Sequence, residues 1–274
     1  MPYPSLLDRD LSTQLLSYLS PVDIAKYGRV SKASRDAVNV FNNTAYDLER
    51  ALAPFLSSSE YTTLRDFQEL LGAVISGSQA VKFLDRAIRE SVSSSDLDIF
   101  VKIKHAKTIG DWLESIRYHF QPRGSQPRTF SECYRLNNVD GHSTNYENTP
   151  TFTSTINIGE LYGTADIRDV FSFGRDWGGQ TPSIKILGTV YSPAQAILRF
   201  HSSVVMNIIT AKCAYALYPV TTFHTRQSVK TKHANEEAQE QYITRGWSMV
   251  LAEEVVEGRA AIKTDLRFFG DNHC

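Results

Sequence analysis

Two short motifs in this sequence could do chemistry. Gly77-Ser78 opens an amphipathic stretch, and Asp96 and Asp98 stand two apart in the apolar run DLDIFVKIK. Carboxylates at i and i+2 of a strand project from the same face. Half-buried, each raises the other's pKa unless a cation intervenes. A divalent ion, Mg²⁺ or Mn²⁺, resolves that conflict, since it accepts carboxylate oxygens and leaves positions open for a triphosphate. Gly77-Ser78 suits the phosphate end. Glycine lets backbone approach, the hydroxyl donates a hydrogen bond, and a helix N-terminus favours negative charge. The same residues also carry plainer readings: Ser78 as an N-cap, the aspartates as the solvent side of an edge strand.

The elements that must position these residues are read from periodicity. After Ser78, the apolar residues Ala80, Phe83, Leu84, Ala87 and Ile88 predict a core-facing helix, with Lys82, Asp85, Arg86, Arg89 and Glu90 on its other side. Leu97, Ile99, Val101 and Ile103 alternate with Asp96, Asp98, Phe100 and Lys102, which predicts a strand. Upstream, Leu64, Phe67 and Leu71 form the stripe of another helix. From Gln121 to Pro150 the chain is polar and rich in Pro, Gly, Ser and Asn, a long loop or insertion with one strand near 133–136. Strand-like segments follow at 152–158, 167–173 and 184–190. Ser192-Pro193 then caps a long apolar helix running to Leu217, and EEAQEQYITRGWSMV reads as a helix passing into an irregular tail. Alternating strands and helices with long connections predict an α/β or α+β domain.

The first fifty residues have another character. Leu11, Leu15 and Leu19 recur at helical spacing behind Asp10 as a cap. Ser20-Pro21-Val22-Asp23 supplies an N-cap, a first-turn proline and an acid for a second helix. Ser31 starts a third, with Ala33, Ala37 and Phe41 along one face. The expected organisation is a helical segment over 1–50 and an α/β domain over 58–274, the latter with its polar insertion near 121–150.

Two family resemblances follow from these residues. Gly77-Ser78, a helix, then Asp96-Leu97-Asp98 in a strand resembles the nucleotidyltransferase fold of the DNA polymerase β type, over residues 60 to 215. The resemblance implies a mixed sheet flanked by helices, with Gly77 and Ser78 holding an NTP and Asp96 and Asp98 binding Mg²⁺. A nucleoside monophosphate would pass to a hydroxyl of a protein, a nucleic acid or a small molecule. It also implies a third carboxylate on a later strand, and here the sequence departs: SIKILGTV puts Lys185 in that place, with Asp169 and Asp176 as the nearby alternatives. Metal-nucleotide binding survives that loss more readily than catalysis. The N-terminal segment is similar to an F-box, which implies docking on a Skp1-type adaptor of a ubiquitin ligase, with Leu7, Leu11, Pro21, Val22, Ile24 and Val30 at or under that surface. The two together resemble a group of fungal proteins. The alternative function is then a degenerate scaffold used as a substrate adaptor, and a helical cap on the α/β domain is the plainer reading of the first segment.

Composition bounds the rest. The formal net charge is −1, so nothing global advertises nucleic acid or an acidic membrane. Two modest basic clusters, at 102–107 and 226–233, read as solvated edges. Cys133, Cys213 and Cys274 are far apart and in no metal-ligand spacing. The start has no basic n-region, and no window is long and apolar enough to span a membrane, so a cytoplasmic or nuclear location is expected. GRDWGG lacks the Lys-Ser/Thr of a P-loop. His201, in an apolar run, reads as a hydrogen-bonded core histidine.

Overall fold

The computed structural model describes residues 9–85, 96–138, 166–176, 179, 181–230 and 236–251. The chain opens with three helices: α1 (Arg9–Tyr18), α2 (Pro21–Tyr27) and α3 (Lys32–Ala45). The Ser20 hydroxyl accepts from the Asp23 amide at 3.2 Å and the Ser31 hydroxyl from the Ser34 amide at 3.0 Å. Both caps satisfy donors that a helix start leaves orphaned. Asp10, expected from the sequence to cap the first helix, falls within α1 as described from Arg9 onward. The buried stripe is also shifted from the one the spacing predicts. Leu16, Ile24, Val38 and Phe41 form the small core, while Leu11, Leu15 and Leu19 are exposed. On α3 the buried partners are Ser34 and Val38, not Ala33 and Ala37. A leucine repeat alone does not say which flank meets a neighbour, and the neighbours here are α2 and α3.

After α4 (Leu48–Leu52) and α5 (Ser58–Leu71), the α/β body begins. A capping box opens α5, with Glu60 accepting from the Ser57 amide at 2.8 Å, and Gly72 ends it at φ 66°. The strands are β1 (Val74–Ser76), β2 (Leu97–Lys102), β3 (His119–Gln121), β4 (Ile167–Gly174), β5 (Ser183–Thr189), β6 (Asn207–Ile209) and β7 (Ala214–Ala216). They form one mixed sheet in the order β3-β4-β5-β2-β1-β6-β7, in which only β2 and β5 run parallel. β8 (Gln227–Val229) and β9 (Ser248–Val250) make a separate parallel pair.

Each face of the large sheet is buried, and strand alternation decides which residues go where. Ile75, Leu97, Ile99, Val101, Phe171, Phe173, Ile184 and Ile186 face a core shared with α5, α7 (Ile103–Ser115) and α8 (Phe130–Asn138). Gly110 of α7 leaves the space that the Phe130 ring fills, so a side chain there would collide with it. Val74, Phe100, Val170 and Leu187 face a second core with α9 (Pro193–Leu198) and with Tyr242 of α10 (Glu236–Ile243) and Trp247 beyond it. No helix among the described residues is long and apolar enough to cross a membrane.

Three predicted elements differ. Residues 133–136 belong to helix α8, because Phe130 and Cys133 sit on one face three apart and both bury fully. The helix from Pro193 ends at Leu198. His201, Ser202 and Ser203 follow; Ser203 Oγ accepts from Val229 N at 2.9 Å, and Ser228 Oγ accepts from Val204 N at 3.1 Å. These bonds hold Ser203–Val205 in a single 3-10 turn, and the β-branched Ile208 and Ile209 follow in strand β6. Third, Asp85 is buried, not solvent-facing, and its carboxylate takes the Arg226 guanidinium, with Nη2 at 3.1 Å. Arg226 also lies 4.8 Å over the Trp247 ring, so it is no solvated edge. The strand expected at 152–158 lies outside the described residues, as do Ala87, Ile88 and the charged residues of 86–90. At the other end, α10 forms as the sequence predicts, and SMV is β9 in place of an irregular tail.

Candidate functional site

β1 runs into α6 (Gly77–Leu84) with no residue between them, and Gly77 makes that turn at φ 69°. A side chain at Gly77 would be strained there, and its Cβ would stand 2.6 Å from Asp98 Oδ2. Glycine therefore allows the Asp98 carboxylate to lie against the start of α6. Ser78, in the first turn, is half-buried, while the N-cap is Ser76, whose buried hydroxyl donates to the Asn207 carbonyl at 2.6 Å. Helix start and carboxylate are thus brought together.

Lys185 completes the group. It lies directly across the parallel ladder from Asp98, and its ammonium forms an ion pair with Asp96 Oδ2. Strand register extends the arrangement into a polar row on one face of five strands: Ser76, Asp98, Lys185, Ser172 and Gln121. The next row on that face, Val74, Phe100, Leu187 and Val170, is apolar. Sequence reasoning does not single out Ser172, although a signal is there. Each of the three central residues is a polar group between two apolar ones, as Leu97-Asp98-Ile99, Ile184-Lys185-Ile186 and Phe171-Ser172-Phe173. Only the register tells that the three line up.

Two atoms in this row are enclosed without a hydrogen-bond partner, Asp98 Oδ1 and Ser172 Oγ. Burial pushes the Asp98 carboxyl up to about 7; Lys185 and, more weakly, Arg123 pull it down, and Asp96 pushes it further up. Asp98 therefore exchanges its proton near neutrality. Burial, and in smaller part the charge of Asp98, also raises the phenol of Tyr242.

A two-metal centre makes demands that this donor set does not meet. Lys185 stands where the sequence resemblance expects a third carboxylate, and its ammonium pairs with Asp96. Asp169 cannot replace it, because it projects from the opposite face. There Gln126 Nε2 donates to its Oδ1 at 3.0 Å, and Cys133 Sγ donates to its Oδ2 at 3.7 Å. Asp176 is exposed beyond the end of β4. Among the described residues no third carboxylate, imidazole or thiolate joins Asp96 and Asp98. Two metal ions do not fit, and one ion would have to displace Lys185 from Asp96.

Other candidates fall where the sequence puts them. His201 is buried, bonded to Ser202 Oγ at 2.8 Å, and held neutral by burial, which lowers its pKa to about 4. Cys133 is enclosed and pushed up to about 12 by burial and by Asp169, so it is no nucleophile. In the helical segment Leu11 is 43% exposed and Val30 75% exposed, Pro21 and Val22 are half-buried, and Ile24 lies beneath them in the small core. Leu7 lies outside the described residues. Comparison with protein-family models, with curated proteins and with solved structures found no match.

Proposed function

We propose that this chain is a recognition protein: an F-box-like helical segment docks on a Skp1-type adaptor, and a nucleotidyltransferase-like scaffold that has lost transfer chemistry presents the recognition surface. The observation that carries the reading is the outer face of α1. Leu11, Leu15 and Tyr18 lie along one side of that helix at helical spacing, with Leu19 just past its end, all exposed, Tyr18 at 81%. Val30 adds a further exposed apolar side chain from the loop after α2. The segment does not need these residues for its own core, since Leu16, Ile24, Val38 and Phe41 supply it. Contiguous exposed apolar side chains on a small folded unit mark an interaction surface. α2 packs against the turn at Val220–His224, so the α/β body holds the segment by its inner side and leaves α1 outward. Lys185 supports the loss of transfer, because an ammonium cannot ligate a metal ion or accept a proton.

The test is co-purification of the full chain with a Skp1-type adaptor. Wild type is expected to retain the adaptor and Leu15→Asp/Tyr18→Ala to lose it, with unchanged circular dichroism. Retention by neither protein would defeat the reading. A second reading, Mg²⁺-dependent NTP binding by Gly77, Ser78, Asp96 and Asp98, is favoured by one observation: the Asp98 carboxylate lies against the first residue of α6 with one oxygen unpartnered. It requires the metal ion to compete with Lys185 for Asp96.

A further inference from the structure

Where the helical segment meets the α/β body, the two enclose a cavity of about 270 Å³. Thr44 and Leu48 line it from α3 and α4, Ile75 and Ile209 from strands β1 and β6, and Lys82 and Phe83 from α6. Ile75 faces the opposite way from Ser76 and Asp98, because successive side chains of a strand alternate. The cavity therefore lies across the sheet from the carboxylate pair and is separate from the helix start at Gly77. Most of its lining is apolar, and the Phe83 ring meets Tyr46 edge-on with centroids 5.7 Å apart. Among the described residues, the charged groups of the lining are Asp47, Arg50 and Lys82. Asp47 is committed to α4, where its carboxylate caps the helix by accepting from the Arg50 amide at 3.0 Å. The balance of charge in the lining is positive. Burial, and after it the charge of Arg245, lowers the pKa of the Lys82 ammonium; an anion beside it would offset both. Arg50 and Ala51 are exposed and mark the mouth.

We propose that this cavity binds a small monocarboxylate with an apolar body, its tail among Ile75, Phe83 and Ile209 and its carboxylate against Lys82 and Arg50. An apolar cavity of about 150 Å³ takes one benzene, so this one has room for a body of roughly eight to ten non-hydrogen atoms. The tail and the apolar wall leave water together. A carboxylate accepts hydrogen bonds only, and its bonds from ammonium and guanidinium groups are the strong, charge-assisted kind. Thr44 and Leu48 belong to the helical segment and Phe83 and Ile209 to the body, so one bound molecule touches both and ties them together. The site is independent of adaptor docking, which uses the outer face of α1.

Calorimetric titration of octanoate, below its micellar concentration, into the full chain tests the assignment, with octylamine and acetate as comparison ligands. Octanoate is expected to bind saturably at one site, and octylamine and acetate each at least about tenfold more weakly. Lys82→Met should weaken octanoate at least about tenfold, and Ala51→Trp, which fills the mouth from an exposed position, should abolish binding. Should Lys82→Met fold poorly, the exposed Arg50→Gln is expected to weaken octanoate about threefold or more. Thermal unfolding gives a second readout: octanoate should raise the melting temperature of wild type and leave that of Ala51→Trp unchanged. Absence of saturable octanoate binding by wild type would overturn the proposal, and so would octylamine binding as tightly as octanoate. Binding that Ala51→Trp and Arg50→Gln both leave unchanged would place the ligand elsewhere and overturn it equally.

Discussion

Asp98 and Asp169 are two half-buried or buried aspartates on adjoining parts of one sheet, and they are handled in opposite ways. Asp169 projects into the aromatic core beside α8, where the Val170 amide, the Gln126 amide and the Cys133 thiol all donate to it. Asp98 projects from the other face, beside a lysine that is paired to a different carboxylate, and one of its oxygens has no partner. Burial raises both, Asp169 to about 6 and Asp98 to about 7. A raised pKa therefore does not distinguish them; the count of satisfied oxygens does. The carboxylate that is fully bonded ties β4 to α8 and to the loop before it. The one left incomplete lies where a helix start, a second carboxylate and a lysine converge, and only that one has coordinating capacity to spare.

The comparison breaks most visibly at Asp169. Asp169→Ala strips acceptors from buried donors and should destabilise the fold by about 3 kcal/mol in urea unfolding. Gly77→Ala comes next, since it combines positive φ with a Cβ 2.6 Å from Asp98 Oδ2; about 1–2 kcal/mol should be lost. Gly77→Ala/Asp98→Ala should recover part of that loss, because part of the conflict is with the carboxylate.

Asp98→Asn is expected to cost less than about 1 kcal/mol at neutral pH, as its enclosed Oδ1 has no hydrogen bond to lose. Its sharper signature is in pH. A carboxyl raised from 3.8 to about 7 holds its proton more tightly when folded, so its contribution is complete below pH 3.8 and is lost as pH rises through 7. Asp169 has the same sign and finishes near 6, whereas His201, lowered to about 4, adds stability as pH rises from about 4 to 6.5. The difference between wild type and Asp98→Asn cancels both. It should favour wild type in acid and shrink up to about pH 7; a flat difference would contradict the enclosure of Asp98. Smallest of all, Tyr18→Ala should leave stability within about 0.5 kcal/mol of wild type while weakening adaptor capture.

Much of the central group is legible in the residues themselves. Gly77 before a helical pattern, Asp98 inside an apolar strand and Lys185 between two isoleucines are local signals, and each holds its place in the structure. What cannot be read is anything set by pairing. Ser172 acquires its meaning only from the antiparallel register of β4 on β5, and Asp169 is disqualified only because a bulge near Ile167 and strand alternation turn it to the other face. The buried stripe of α1 is Leu16 rather than Leu15 for the same kind of reason, since burial depends on where α2 and α3 lie. The apolar run after Pro193 has helical composition, yet hydroxyls of Ser203 and Ser228 tie it to β8 across the chain.

The most direct test of the account is calorimetric titration of ATP and the other NTPs, with and without Mg²⁺, into wild type and Asp96→Ala/Asp98→Ala. If Lys185 closes the carboxylate pair, wild type and the double variant give the same result and Mg²⁺ adds nothing. Binding by wild type that needs Mg²⁺ and disappears with the two aspartates would contradict it, and would make this chain a metal-nucleotide binder in spite of its lysine.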